Sequence, residues 1–115
     1  MSTHQVILAL TGHRFPLHSE KAVQDEIAKL LTEKNIFYNR EMELDKENRP
    51  DFMAGTTAIE VKISGQARAI YRQCERYCSF DLVTELVLIT NKALGFPHQI
   101  NGKNCYVINL GRAWL

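Results

Sequence analysis

Residues 49–63 read RPDFMAGTTAIEVKI and carry the clearest structural pattern in the chain. Segments of extended character flank Gly55 and Thr56, which together can form a two-residue turn, so the stretch predicts a β-hairpin. Counting outward from the turn places Asp51 opposite Glu60 on the neighbouring strand. Like charges that face each other directly destabilise a sheet. The hairpin therefore needs a cation close to these two carboxylates.

Alternate side chains of the second strand point to opposite faces of the sheet. Ile59, Val61 and Ile63 therefore share one face. Glu60 and Lys62 share the other face, about 7 Å apart along the strand. Two cations are candidates for balancing the opposed carboxylates, namely the ammonium of Lys62 and a bound divalent metal ion.

Length and composition predict one globular domain over residues 1–115. The hydrophobic fraction of 45% and the charged fraction of 23% are ordinary for such a domain. A net charge of +1 does not by itself indicate a nucleic-acid-binding protein. Any affinity for DNA therefore depends on where the 14 basic residues lie.

The N-terminal residues do not resemble a targeting segment. No Lys or Arg stands among residues 1–5, and the apolar run at residues 6–10 is too short for a signal peptide or a membrane helix. We therefore expect a cytoplasmic protein without membrane association. Zinc and iron–sulfur sites need more ligands than three cysteines supply, so we expect the cysteines to pack as small apolar side chains.

A helix over residues 20–33 is expected to follow a short strand over residues 6–10. Ser19 is a suitable N-cap for this helix. Glu20 lies in the middle of its apolar stripe, so the carboxylate could face the sheet or could only complement the helix dipole. The stripe consists of Val23, Ile27, Leu30 and Leu31.

The remainder of the chain completes a mixed α/β pattern. A strand over residues 36–44 is joined to the hairpin by a charged turn at residues 45–49. A second helix is predicted over residues 66–79, and further strands over residues 85–90 and 105–110. The first of these further strands is almost wholly apolar, which is typical of a strand buried on both faces. The second helix would bury Ala67, Ile70, Tyr71, Cys74 and Cys78.

The second helix also carries a basic stripe formed by Arg68, Arg72 and Arg76. Like charges at this spacing repel one another and need an anionic partner or solvent. A phosphate backbone would provide that partner, and a solvated helix face is the alternative.

An Asp followed nine positions later by Glu-x-Lys on a hairpin resembles the motif of PD-(D/E)XK nucleases. In this chain the motif consists of Asp51 and the Glu60-Val61-Lys62 run. The second helix contains Gln73-x-x-x-Tyr77, which is similar to the helix pattern of the RecB-like and VRR-NUC-like branches. The resemblance covers roughly residues 19–110.

This resemblance implies a fold, an activity and a metal site. The fold would be α/β, with a restriction-endonuclease-like α-β-β-β-α-β core in which helices flank a central mixed sheet. The activity would be hydrolysis of DNA phosphodiester bonds with Mg²⁺ or Mn²⁺. The metal ligands would be Asp51, Glu60, the backbone carbonyl of Val61 and the carboxylate of Glu20.

Other roles follow from the same resemblance. Lys62 would assist the attacking water, and Gln73 and Tyr77 would position that water or the DNA strand. The arginine stripe of the second helix would hold flanking phosphates. The sequence does not decide whether His18 or Glu26 also contributes to the metal site.

Three alternatives remain open. One is a structure-specific endonuclease similar to Holliday-junction resolvases, which would act as a two-fold homodimer. A second is a nuclease fold that binds nucleic acid or protein without turnover. A third treats Glu60 and Lys62 as an ordinary ion pair on an exposed strand, worth less than about 1 kcal/mol.

Overall fold

The computed structural model describes residues 3–110, which form three layers with helices on both faces of one sheet. The helices are α1 (Thr3–Leu10), α2 (Glu20–Glu33) and α3 (Ala67–Tyr77). The strands are β1 (Asn39–Arg40), β2 (Phe52–Ala54), β3 (Thr57–Lys62), β4 (Glu85–Thr90), β5 (Gln99–Ile100) and β6 (Lys103–Asn109). No helix within residues 3–110 is long and apolar enough to cross a lipid bilayer.

The six strands form one mixed sheet in the order β1-β2-β3-β4-β6-β5. Strands β1, β2 and β3 are antiparallel neighbours. Strands β3, β4 and β6 run parallel, and β5 is antiparallel to β6. The expected α/β class with a central mixed sheet flanked by helices is thus confirmed. The central strand β4 is buried on both faces, as its apolar sequence predicted.

The predicted register of the hairpin is confirmed over its described pairs. Phe52 lies opposite Ile59, and the pairing continues to the turn. Gly55 has a φ of 63°, a left-handed conformation that glycine adopts without steric cost. The counted register therefore brings Asp51 and Glu60 side by side just beyond the last ladder pair.

Helix α2 begins and ends where its capping signals predict. The hydroxyl of Ser19 accepts a hydrogen bond from the N–H of Ala22 over 3.0 Å. At the other end, Asn35 has a φ of 59°, and the N–H of Ile36 donates to the carbonyl of Leu31 over 2.9 Å. These are the features of a left-handed helix stop. The whole predicted apolar stripe of α2 is buried.

Two apolar cores lie on opposite faces of the sheet. Helices α1 and α2 cover the face that carries Ile59 and Val61. Helix α3 covers the face that carries Ala58. Because side chains alternate along a strand, Glu60 and Lys62 point toward the α3 side. The predicted division of the hairpin between two faces is confirmed.

The strand predicted over residues 6–10 is wrong, because these residues belong to helix α1. A short apolar run is compatible with either element, and its periodicity does not separate a buried strand from a buried helix. The start of α1 is tied to the sheet. The Thr3 hydroxyl lies 2.7 Å from the Thr57 hydroxyl and donates a hydrogen bond to the Glu85 carboxylate.

The strand predicted over residues 36–44 is too long. Only Asn39–Arg40 pairs with β2 as a strand. The regular ladder ends because Glu41 adopts a left-handed backbone conformation with a φ of 51°. Its N–H still donates to the carbonyl of Asp51 over 3.1 Å, so the chain stays beside the hairpin after β1 ends.

The remaining boundaries shift by one or two residues, as the ends of elements commonly do. Helix α3 spans Ala67–Tyr77 rather than residues 66–79. Ala67 lies in its first turn and is exposed, so the prediction that this residue is buried is wrong. Strand β6 begins at Lys103 rather than at residue 105.

The last hairpin of the sheet was predicted only in part. The turn at Asn101 and Gly102 is present, and both residues have positive φ values of 52° and 75°. This is the backbone conformation that favours Asn-Gly in two-residue hairpin turns. Strand β5, which precedes the turn, was not predicted because two residues carry too little pattern to detect.

Candidate active site

The two acids of the first hairpin are interlocked through the main chain. The backbone N–H of Asp51 donates to Oε1 of Glu60 over 3.1 Å. The backbone N–H of Val61 donates to Oδ2 of Asp51 over 2.8 Å. Each carboxylate therefore accepts a hydrogen bond from the opposite strand. The predicted juxtaposition of Asp51 and Glu60 is present.

Lys62 lies beside the second acid. Its Nζ is 3.4 Å from Oε2 of Glu60, and the lysine side chain is 25% exposed. Glu60 itself is only 3% exposed. A buried charge of this kind needs a partner, unlike an ion pair on an open surface. The ion pair that the third alternative expects is therefore present, but it lies on a buried strand and not on an exposed one.

Burial makes both acids of the hairpin reluctant to ionise. Burial raises the pKa of Asp51 to about 6, against the lowering effects of the Val61 N–H and the Lys62 ammonium. Burial, followed by the negative charge of Asp51, raises the pKa of Glu60 to about 8. One lysine therefore does not offset the burial and close approach of two carboxylates.

Glu20 reaches the site from the first turn of α2. Its Oε2 accepts a hydrogen bond from the backbone N–H of Ile63 over 3.1 Å, just beyond the end of β3. The carboxylate thus faces the sheet, which was one of two possibilities open from its position in the helix. The Glu20 carboxylate is also close enough to raise the pKa of Asp51, and so is that of Glu41.

Helix α3 contributes a buried tyrosine and its glutamine partner. Tyr77 is 1% exposed, and its hydroxyl donates to the backbone carbonyl of Arg49 over 3.2 Å. The amide Nε2 of Gln73 donates to the Tyr77 hydroxyl over 2.9 Å. Burial, then the charges of Glu60 and Asp51, raise the pKa of Tyr77. The hydroxyl therefore stays protonated, as its hydrogen bond to the Arg49 carbonyl requires.

The arginine stripe of α3 is not uniform. Arg68 and Arg72 are exposed on the helix surface. Arg76 is also largely exposed, but its Nε donates to Oδ1 of Asn48 over 3.1 Å. Two arginines of the stripe therefore face solvent, while the third is bound to the turn that precedes Asp51.

Asn48 is a candidate that the sequence interpretation missed. It is 7% exposed and lies in the charged turn before Asp51. The signal for it was the Asp45-x-x-Asn48 spacing, because Asp side chains readily bond to backbone groups two or three residues ahead. A charged run of this kind more often marks a solvated loop.

Several other polar residues lie away from Asp51 and Glu60. Oε2 of Glu26 accepts a hydrogen bond from Nε2 of His13 over 2.8 Å. His18 is exposed. Neither Glu26 nor His18 has a described contact with the hairpin acids. The three cysteines are free thiols in the core under α3, as expected for small apolar side chains.

The donor set of the hairpin is suited to a hard divalent cation. Within residues 3–110, no group of three or more His, Cys, Asp or Glu side chains is placed so that it could hold a metal ion. Glu20 therefore does not form a three-carboxylate group with Asp51 and Glu60. Asp51 and Glu60 offer two carboxylates, and the Val61 carbonyl and water would complete the ligands. Mg²⁺ usually retains several waters and binds through one or two carboxylates.

Comparisons with known proteins give no match. No family model matches the chain, and no curated protein or solved structure is significantly similar to it. The interpretation of this site therefore depends on its residue types and their geometry.

Proposed function

We propose that this chain is a metal-dependent nuclease that hydrolyses phosphodiester bonds in DNA. One observation carries the proposal: Asp51, buried Glu60 and Lys62 converge on one hairpin, with α3 packed against them. An ordinary structural ion pair would not require a second carboxylate against the first. The spacing of these three residues is also that of the nuclease motif described above.

The order of elements supports the same assignment. Helix α2, strands β1 to β3, helix α3 and strand β4 follow one another as α-β-β-β-α-β. This is the order expected for a restriction-endonuclease-like core. The antiparallel hairpin followed by a parallel neighbour, β4, agrees with that proposal.

The proposed cofactor is Mg²⁺ or Mn²⁺, held by Asp51, Glu60 and the backbone carbonyl of Val61, with Glu20 as an additional acid. When bound, such an ion would neutralise charge on the phosphate and lower the pKa of a water molecule. The protein residues hold these oxygen donors in place, because both hairpin acids already accept backbone hydrogen bonds.

Lys62 and Tyr77 have separate roles in this proposal. The Lys62 ammonium lies 3.4 Å from Oε2 of Glu60, and its side chain is partly exposed. From there it would orient the attacking water and offset negative charge that develops on the phosphate. The Tyr77 hydroxyl holds the backbone of Arg49 and, through it, the approach to Asp51. Gln73 fixes the orientation of that hydroxyl. We therefore propose that Gln73 and Tyr77 position the chain that leads to Asp51.

DNA is the proposed substrate because Arg68 and Arg72 offer an exposed basic surface on the helix that faces the hairpin acids. The guanidinium group of arginine binds phosphate through charge and through paired hydrogen bonds. The structure of the DNA that is cut stays a prediction, as do a resolvase-like homodimer and a cytoplasmic location.

The test is a cleavage assay on the purified chain. Single-stranded, double-stranded and four-way-branched DNA, with matched RNA strands, are incubated with Mg²⁺, Mn²⁺ or EDTA. We expect cleavage of DNA that depends on the metal and is lost in Asp51→Asn and Lys62→Met. A Lys29→Met variant serves as the control, because Lys29 is exposed on α2.

Two results would reject the proposal. Cleavage that persists in both site variants would mean that Asp51 and Lys62 are not the catalytic residues. Absence of cleavage for every nucleic acid with either metal would reject turnover, and binding of DNA under the same conditions would then favour a non-catalytic module.

A further inference from the structure

The turn that precedes Asp51 is ordered by a single aspartate. Oδ1 of Asp45 accepts hydrogen bonds from the N–H of Glu47 over 2.9 Å and from the N–H of Asn48 over 2.8 Å. The side-chain Nδ2 of Asn48 donates to the same oxygen over 3.0 Å. The hydrogen bond that the Glu47 N–H donates is the largest cause that lowers the pKa of the Asp45 carboxyl. The charged run is thus a folded turn.

Asn48 connects this turn to helix α3. Its Oδ1 accepts from Nε of Arg76 over 3.1 Å, while its Nδ2 donates to Asp45. Its backbone carbonyl accepts from the N–H of Leu44 over 2.8 Å. The side chain at this position must therefore accept a hydrogen bond on one side and donate one on the other. An amide group does both. A buried amide with both partners is costly to replace.

The residues after Asn48 carry this anchoring to the hairpin acids. Arg49 is held through its carbonyl by the Tyr77 hydroxyl. Pro50 follows, and its ring fixes one backbone dihedral angle. Asp51 then bonds to the second strand through its N–H and its carboxylate. Helix α3 thus holds Asn48 and Arg49, the residues three and two positions before Asp51.

We propose that Asn48 is a positioning residue for Asp51, because it links the turn at Asp45 to Arg76 of α3 and so fixes the chain that delivers the acid. This inference rests on the proposed nuclease function. It also changes the role of Arg76, whose guanidinium acts through Asn48 and not through phosphate. Arg68 and Arg72 keep the phosphate-binding role.

Charge-conserving variants separate these two roles of arginine. Arg76→Lys keeps the positive charge but removes the Nε–H that donates a hydrogen bond to Oδ1 of Asn48. A phosphate contact made by charge would survive this change, whereas the link to Asn48 would not. Asn48→Ala removes the same link from the other side. Arg72→Lys is the matched control for hydrogen exchange, because Arg72 is exposed one turn earlier on the same helix.

The first measurement is hydrogen exchange at two backbone amides. The exchange is monitored by NMR in the absence of metal and DNA. The amides are those of Asp51 and Val61, which bond to the interlocked carboxylates. We expect both to exchange at least roughly 10-fold faster in Asn48→Ala and Arg76→Lys, beyond any change in the free energy of global unfolding. Arg72→Lys should leave both exchange rates at the wild-type values.

The second measurement is a comparison of kcat and KM on the best DNA substrate. A displaced Asp51 should lower kcat on the order of 10- to 100-fold in both variants, with little change in KM. A structural loss of folded protein would instead lower activity in proportion to the unfolded fraction. If Asn48→Ala fails to fold, Arg76→Lys decides the result.

Wild-type exchange at both amides in Asn48→Ala and Arg76→Lys would overturn the inference. A raised KM with unchanged kcat in Arg76→Lys would also overturn it, since that result assigns Arg76 to DNA binding. A wild-type chain that cuts no DNA rejects the proposed function separately, and the exchange rates still decide whether Asn48 holds Asp51.

Discussion

The backbone N–H of Asp51 donates to Oε1 of Glu60 over 3.1 Å, so the main chain itself links two acids that repel each other. The reciprocal bond from Val61 N–H to Oδ2 of Asp51 closes the pair. Both carboxylates are thus oriented before any ligand arrives. Orientation of this kind reduces the cost of assembling a catalytic site.

Asp51→Asn should weaken metal binding while preserving the hairpin. The amide oxygen of Asn can still accept the Val61 N–H, but the negative charge is lost. Loss of an outer-shell partner costs roughly 10- to 100-fold in metal affinity, and loss of a ligand should cost at least as much. Calorimetric titration with Mn²⁺ measures the affinity. Asp25→Asn is the control, because Asp25 pairs with Lys21 on the exposed side of α2.

Metal-free protein should lose stability as pH rises. Burial raises the pKa of Asp51 from 3.8 to about 6 and that of Glu60 from 4.5 to about 8. The folded state therefore binds protons more tightly than the unfolded state, so the stabilisation is complete below pH 4 and is lost as pH rises through the two folded values. Urea unfolding in EDTA between pH 4 and pH 9 should show a decline on the order of a few kcal/mol.

Glu60→Gln provides the control for this pH dependence. The upper part of the decline in stability, up to the folded pKa of Glu60 of about 8, should disappear in this variant because Gln does not titrate.

Added Mg²⁺ should stabilise the wild-type protein more at pH 8 than at pH 5, since ionised carboxylates bind the ion. A free energy of unfolding that rises with pH in EDTA would contradict the assignment of these pKa values.

Lys62→Met should separate catalysis from metal binding. The variant keeps most of the side-chain length but removes the ammonium, so negative charge that develops on the phosphate is no longer offset. We expect kcat to fall on the order of 100-fold. The affinity for Mn²⁺ should stay the same or rise, because a competing cation has gone from Glu60. A fall in both quantities would instead assign Lys62 to holding the carboxylates.

The hairpin was predictable because its information is local. A turn at Gly55 and the alternation of the following strand fix the register, and the register alone brings Asp51 to Glu60. The ends of α2 were predictable for the same reason, since Ser19 and Asn35 are capping signals. These features depend on neighbours in the sequence.

The missed features depend on distant contacts. Residues 6–10 belong to helix α1. The start of this helix is fixed to the sheet by hydrogen bonds that join Thr3 to Thr57 and Glu85, which are distant in the sequence. Arg76 looked like part of a basic stripe because its partner, Asn48, lies 28 residues away in the chain. Helical spacing showed that the three arginines share a face, but it did not show which of them already had a protein partner.

Glu20 offers a test of charge against hydrogen bonding. Glu20→Gln keeps an oxygen for the Ile63 N–H and removes the charge near Asp51, whereas Glu20→Ala removes both. Only Glu20→Ala should lower the free energy of unfolding, by about 1 kcal/mol. Both variants should bind Mn²⁺ more weakly if the carboxylate supports the metal. Wild-type affinity in Glu20→Gln would limit Glu20 to fixing α2 against the sheet.

Arg68→Gln and Arg72→Gln should weaken DNA binding through lost phosphate contacts. Each arginine is exposed on α3. An arginine that neutralises a phosphate releases a counterion from the DNA. The slope of log affinity against log salt concentration should therefore become shallower by about 0.9 per variant on duplex DNA and about 0.7 on single strands. The loss should be similar for unrelated DNA sequences, because phosphate contacts carry no base information.

Fluorescence anisotropy in the Asp51→Asn background measures this binding without cleavage. Lys29→Gln, which removes one exposed positive charge from α2, controls for the change in net charge. It should leave the salt slope unchanged because α2 lies on the opposite face of the sheet from α3. Equal slopes for wild type, Arg68→Gln and Arg72→Gln would show that DNA does not cross this helix. The basic stripe would then be a solvated face, and the DNA path would have to run along another side of the hairpin.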